Sequence, residues 1–278
     1  MPFTSETRYM ITANRINDHK RAHLKGAPQI VLKKCSHLFL NGKQVPLSAG
    51  DREDILARNE DYILTSNVPE IVPFLLFVLF GWPLALPVLL ILCIDLGTDM
   101  LPAVGLGMEP SSPDIMNLKP RDPQEKLLNW KMLARSYGFI GPLQTLFAYL
   151  IFFDILLTGG WSWDQKLNID DSLYISAVTA FFSSVVVTQI FNVFACRTRR
   201  TSVFSKFLPN RVILIGIVAE ILMILLLAHL PPFRTLLGTA PFPTYYYGWM
   251  AGFGTLVLLG EEGRKYLNRR FGLFELTL

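Results

Sequence analysis

The chain has 278 residues, of which 51% are hydrophobic and 17% charged, with a formal net charge of +4. Water-soluble domains carry about 25% charged residues, so the composition points to lipid. The small basic excess excludes a nucleic-acid binder as the reading, and three cysteines without paired spacing (Cys35, Cys93, Cys196) give neither a disulfide framework nor a zinc site.

Residues 1–61 are polar and mixed, without the apolar run of a signal peptide. Phe3 to Thr12 reads as a strand, and Pro28 opens a short helix over Gln29 to Cys35. His37 to Leu47 alternates around Asn41-Gly42, a hairpin signal. Asp51 to Glu60 is expected to be helical and to run into the first apolar segment. From Ile63 the composition changes abruptly. Six segments approach the roughly 20 apolar residues a membrane span requires: 63–80, 84–106, 136–157, 172–194, 211–230 and 244–260, with Gly81-Trp82-Pro83 a tight turn between the first two. The expected fold is an all-α polytopic membrane protein of six transmembrane helices (62–278) behind a small α+β stub (1–61).

Lysines and arginines set the orientation. They concentrate in the amino-terminal segment, in 107–135, in 196–211 and in the tail, whereas the opposite loops hold only Lys166 and Arg234. Both termini are therefore expected in the cytoplasm, with the basic clusters facing anionic headgroups.

An aspartate at the centre of a membrane helix costs roughly 2.5–3.5 kcal/mol. This chain places Glu70 in the first span, Asp95 and Asp99 in the second, Asp154 near the end of the third and Glu220 in the fifth. Asp95 and Asp99 are four apart and share a helix face. Two such acids repel unless a cation or proton lies between them. Pro69, Pro73 and Pro102 free backbone carbonyls, and Gly97 invites unwinding. Two broken helices would thus offer carbonyls beside Glu70, Asp95 and Asp99, with Ser66, Asn67 and Thr98 adding neutral oxygens. All-oxygen coordination suits hard alkali or alkaline-earth cations. The alternative is that the acids only join helices by hydrogen bonds. Asp154 reads as interfacial, Glu220 stands between the two roles, and Gln189 and Asn192, three apart on the fourth span, either pack helices or share the ion site.

Thr65-Ser66-Asn67-Val68-Pro69-Glu70-Ile71-Val72-Pro73-Phe74 and Ile94-Asp95-Leu96-Gly97-Thr98-Asp99-Met100 resemble the fifth and sixth transmembrane helices of type II P-type cation ATPases, the family of the sodium/potassium and calcium pumps. The resemblance continues through Pro120-Arg121-Asp122-Pro123 and Cys196-Arg197-Thr198-Arg199-Arg200, covering about residues 61–272. It implies that Glu70, Asp95 and Asp99 ligate a transported cation, flanked by Ser66 and Asn67. Glu220 matches a ninth-helix position that contributes in sodium-type pumps, and Asn192 falls where some members have an acid. Pro2-Phe3-Thr4-Ser5 and Lys25-Gly26-Ala27-Pro28 resemble the nucleotide-binding domain, which would stack Phe3 on adenine and bring Arg8 and Lys25 to the nucleotide; intact members use Mg-ATP.

The family's DKTGT nucleophile, its TGD and its magnesium-holding GDGxNDxxAL do not occur in these 278 residues. The nucleotide-domain-like segment runs straight into the fifth-helix sequence, as if an internal block were excised. Phosphoryl transfer depends on positioning and metal electrostatics, so ATP hydrolysis by this chain alone is not expected. Three functions follow: a truncated pump retaining part of the ion path and working with the remaining part of a pump; a membrane interaction protein that binds and modulates an intact pump; and a passive cation pathway.

Overall fold

The computed structural model describes residues 4, 6–16, 19–26, 28–40, 43–108, 130–163, 165, 167–198, 201–205 and 210–271. These fall into two compact units, one ending at Ala57 and one beginning at Arg58.

In the first unit, β1 (Tyr9–Ile16) and β2 (His19–Gly26) pair antiparallel, from Tyr9 opposite Gly26 to Ile16 opposite His19. α1 (Pro28–Lys34) follows, and then β3 (His37–Leu40) and β4 (Lys43–Pro46) form a second antiparallel hairpin. The expected helix and the hairpin around Asn41-Gly42 are both present. The expected strand over 3–12 is displaced: it begins at Tyr9, after a turn at Glu6 and Thr7, and continues to Ile16. Its partner β2 has no strand signal in the sequence, because His19, Lys20, Arg21, His23 and Lys25 give it no apolar alternation. The hairpin forms through main-chain pairing instead. A capping box starts α2 (Ala49–Phe80): the backbone N–H of Ser48 donates to Asp51 Oδ2 at 2.9 Å, and that of Asp51 donates to Ser48 Oγ at 3.1 Å. Within this unit Arg52 ties α2 to the end of α1, donating to the carbonyls of Leu32 and Cys35.

The second unit is helical. α2 continues through both Pro69 and Pro73 without interruption to Phe80, and Gly81, at φ 67°, closes its last turn by donating to the carbonyl of Phe77. α3 (Val88–Cys93), a π-helical turn (Ile94–Asp99) and α4 (Met100–Gly107) form one membrane-length rod. α5 (Trp130–Arg135), a second π-helical turn (Ser136–Ile140) and α6 (Gly141–Thr158) form another. α7 (Ser172–Cys196) is the central helix, packed against α6 and α10. Its small residues Ala177, Ala180, Ser183 and Ser184 are fully buried, which lets neighbouring backbones approach closely. α8 (Arg211–His229), a short α9 (Pro231–Leu237) and α10 (Tyr246–Phe271) complete the bundle.

Phe152, Phe181, Phe182, Tyr246, Leu86, Leu90 and Ile94 fill the interior. Val78, Leu79, Phe80, Leu96, Ile215 and Leu222 lie exposed on the outside of α2, of the π-helical turn and of α8, where a soluble protein would carry charge. Five of the six expected spans form helices long and apolar enough to cross a membrane. The sixth segment is also helical, but Tyr246, Tyr247, the five glycines of α10 and the Glu261-Glu262 pair lower its apolar character below that of the other five.

Candidate cation site

α2 carries Tyr62, Ser66 and Glu70 at intervals of four, so all three lie along one side of the helix. Opposite stands the π-helical turn with Asp95 and Asp99. A Cβ on Gly97 would meet the flexible end of the Met223 side chain of α8, which packs against this face of the turn. Pro102 offers no N–H to Thr98, and the chain responds by widening its helix rather than unwinding. The expectation of two broken helices is therefore corrected. The first is continuous, and the second is re-pitched with its backbone still helical, because hydrogen bonds spanning five residues satisfy most of the carbonyls that an unwound segment would leave bare.

One carboxylate oxygen from each of Glu70, Asp95 and Asp99 lies within 4.8 Å of the others. Two oxygens on opposite sides of a calcium-sized ion stand about 4.6–5.2 Å apart, so the spacing fits a hard cation between them. Glu70 and Asp99 are buried, and Asp95 is exposed. Among the described residues, Glu70 Oε1 is buried without a hydrogen-bond partner. Asp99 Oδ1 accepts from the Tyr62 hydroxyl at 3.0 Å, and the Ser66 hydroxyl adjoins the same carboxylate while donating to the Ile63 carbonyl at 2.9 Å. Three mutually close carboxylates with an orphaned oxygen repel one another unless positive charge joins them.

The other residues singled out from the sequence divide. Glu220, wholly buried on α8, keeps both carboxylate oxygens free of hydrogen bonds among the described residues and lies within electrostatic reach of Asp99 and Tyr62. Thr98 is buried, with its hydroxyl donating to the Ile94 carbonyl at 2.9 Å. Asn67 is half-buried on α2. Asn192 Nδ2 donates to Gln189 Oε1 at 3.2 Å, and the Cys196 thiol reaches Asn192 Oδ1 at 3.7 Å, so this amide is engaged along α7. Asp154 accepts from the Tyr246 hydroxyl at 2.5 Å, which joins α6 to α10. Arg8, at φ 56°, and Lys25 are both exposed on the β1–β2 hairpin, and Phe3 lies outside the described residues.

Two functional candidates emerge only from the structure. Tyr62 falls at the boundary between stub and first span, and its spacing of eight from Glu70 is the one signal the sequence holds for it. Arg135 reads in sequence as one more topological charge. It is buried, donates to Asp61, and contacts Glu261 through Nε at 3.2 Å and Nη2 at 3.0 Å.

Residues 83–267 match the family described as cation transporting ATPase, C-terminus, and residues 1–66 match P-type ATPase, cytoplasmic domain N. The sodium/potassium-transporting ATPase subunit alpha-2 of Bos taurus is 35% identical over 243 residues, which cover 78% of this chain and 24% of that protein. The alpha-2 subunit of Gallus gallus is 34% identical over the same shares, as is the alpha-1 subunit of Oreochromis mossambicus over 242 residues. The chain thus spans about a quarter of the length of the curated relatives it matches. With a matched model covering residues 83–267 and apolar helices of membrane length, the chain belongs to the cation-transporting P-type ATPases, as a membrane protein carrying their carboxy-terminal helix region.

Proposed function

We propose that this chain is a six-span membrane bundle, with both termini in the cytoplasm, that binds an alkali or alkaline-earth cation at Glu70, Asp95 and Asp99. The observation that carries the reading is the convergence of these three carboxylates within 4.8 Å on two helices long and apolar enough to cross a membrane. Glu220, buried on α8 without hydrogen bonds to its carboxylate among the described residues, is a further acid for the same cation. Ser66, Asn67 and Thr98 are the neutral oxygens available to complete a shell, whereas the Asn192 amide is engaged along α7. The relatives named for sodium and potassium transport favour a monovalent cation as cargo.

In this reading the chain holds an ion path and does not drive it. The DKTGT and GDGxNDxxAL segments that would receive phosphate and hold magnesium are absent from the 278 residues, and the two basic side chains offered to a nucleotide, Arg8 and Lys25, stand exposed. Mg-ATP chemistry therefore belongs to the remaining part of a pump. The test is calorimetric titration of the detergent-solubilised chain with sodium, potassium and calcium. A saturable heat lost in Glu70→Gln and Asp99→Asn is the expected result, and no heat with any of the three cations refutes the reading. A second reading, modulation of an intact pump, is favoured by the exposure of Asp95 beside the exposed apolar Leu96 and Met100, a face suited to another membrane helix. Affinity purification separates the two: a partner bearing DKTGT without these helices supports complementation, and an intact pump supports modulation. Addition of Mg-ATP to the chain alone should yield no acid-stable phosphoenzyme.

A further inference from the structure

Arg135 ends α5 with its side chain buried, and three helices converge on its guanidinium. Nη1 donates to Asp61 on α2. Nε reaches both oxygens of Glu261 on α10 at 3.2 Å, and Nη2 approaches Oε1 of the same carboxylate at 3.0 Å. Each anion has further support. Asp61 Oδ1 accepts from Ser136 Oγ at 3.2 Å, and Arg264 grips Glu261 with Nε at 2.9 Å and Nη2 at 2.7 Å. Lys265, also buried, bonds Glu262 at 3.0 Å, the Ala195 carbonyl at 2.9 Å and Thr198 Oγ1 at 3.1 Å. Among the described residues, Arg135, Arg264 and Lys265 thus meet Asp61, Glu261 and Glu262.

A buried ion network of this kind is a poor source of stability, because well-packed apolar side chains of similar volume do as well or better. What it supplies is geometry, since the planar fork of arginine accepts partners only in fixed directions. The geometry it fixes belongs to the cation site, for Asp61 directly precedes Tyr62. Successive helical residues project about 100° apart, so one turn of α2 is held on one side by Arg135 and on another by the Tyr62–Asp99 hydrogen bond of 3.0 Å. Two anchors on adjacent residues fix both the rotation and the height of α2, and with them the level at which Glu70, two turns further on, meets Asp95 and Asp99.

We propose that Arg135 is a positioning residue for the cation site, holding Tyr62 against Asp99 through its buried pairing with Asp61; this rests on the cation reading above. The test is a double-substitution cycle on cation affinity in detergent, measured calorimetrically with sodium, potassium and calcium. Tyr62→Phe and Arg135→Gln should each weaken binding by about tenfold, the worth of one hydrogen bond to a charged group. The double variant should be no weaker than either single one, because both remove the same contact. Asp61→Asn/Arg135→Gln leaves fewer uncompensated buried charges. It serves where Arg135→Gln alone fails to fold, and its affinity should be equally insensitive to Tyr62→Phe. Losses that multiply in the double variant overturn the assignment, since Arg135 would then act independently of Tyr62.

If the unsubstituted chain binds none of the three cations, the cation reading fails. The positioning claim is then decided by infrared spectroscopy of the Asp99 carboxyl band, identified by its loss in Asp99→Asn. Tyr62→Phe shifts that band, and Arg135→Gln must shift it likewise; a band unmoved by Arg135→Gln overturns the assignment.

Discussion

A carboxylate that is fully buried and keeps both oxygens without hydrogen bonds, as Glu220 does, makes sense where a ligand is expected. Left charged and unpaired, such a group destabilises the bundle. Glu220→Gln keeps the shape and removes the charge. It should raise the melting temperature of the cation-free protein by about 2–4 °C for each kcal/mol relieved, while reducing the additional rise that saturating cation produces. Thermal unfolding with and without added salt measures both. Asn210 is a residue of the opposite kind, with both ends of its amide used. Its Oδ1 caps α8 by accepting from Val212 N at 3.0 Å, and its Nδ2 donates to the Gly105 carbonyl at 2.8 Å. Asn210→Ala should cost about 1–2 kcal/mol, read as a lowered melting temperature without loss of cation affinity.

At the level of elements, the π-helical turn is the feature on which the site depends. It rotates Asp95 and Asp99 relative to a regular helix and rests against α8 at Gly97. Gly97→Ala forces a methyl group onto Met223, whose flexible end must swing away. Because that end is mobile, the cost should fall at or below the lower end of the roughly 1–3 kcal/mol that overpacking brings. Met223→Ala in the same chain should recover most of the loss, which distinguishes a steric clash from a need for backbone freedom at residue 97. The amino-terminal hairpins show the limit of pattern reading at this scale. β3 and β4 are legible from the Asn41-Gly42 turn signal, whereas the alternation that identifies a strand is missing from the basic β2.

For the molecule as a whole, the path of α10 decides the number of spans. Among the described residues, five helices have the composition of membrane spans. α10 has the length, and it buries Tyr246, Met250, Gly254 and Val257 against its neighbours. A helix covered by others needs less apolar surface than one facing lipid, so composition alone does not decide whether α10 crosses. Epitope tags at the two ends of the chain test this directly. Both should be accessible from the cytoplasmic side of sealed vesicles if α10 crosses, and a carboxy-terminal tag on the opposite face marks a five-span bundle.

The sequence by itself determined that the chain lives in a membrane, where its apolar helices run, and that Glu70, Asp95 and Asp99 are acids set within two successive apolar segments. Long apolar runs and costly acids are local signals, and four-residue spacing fixes a shared face without knowledge of any neighbour. Only the tertiary structure decided that α2 passes its prolines unbroken, that the second helix widens rather than unwinds, that Tyr62 faces Asp99, and that Asp61, Arg135 and Glu261 meet. Those partners are 74 and 126 residues apart in sequence. Which buried charge finds which is set by how helices pack against one another, and no pattern within a single segment records that.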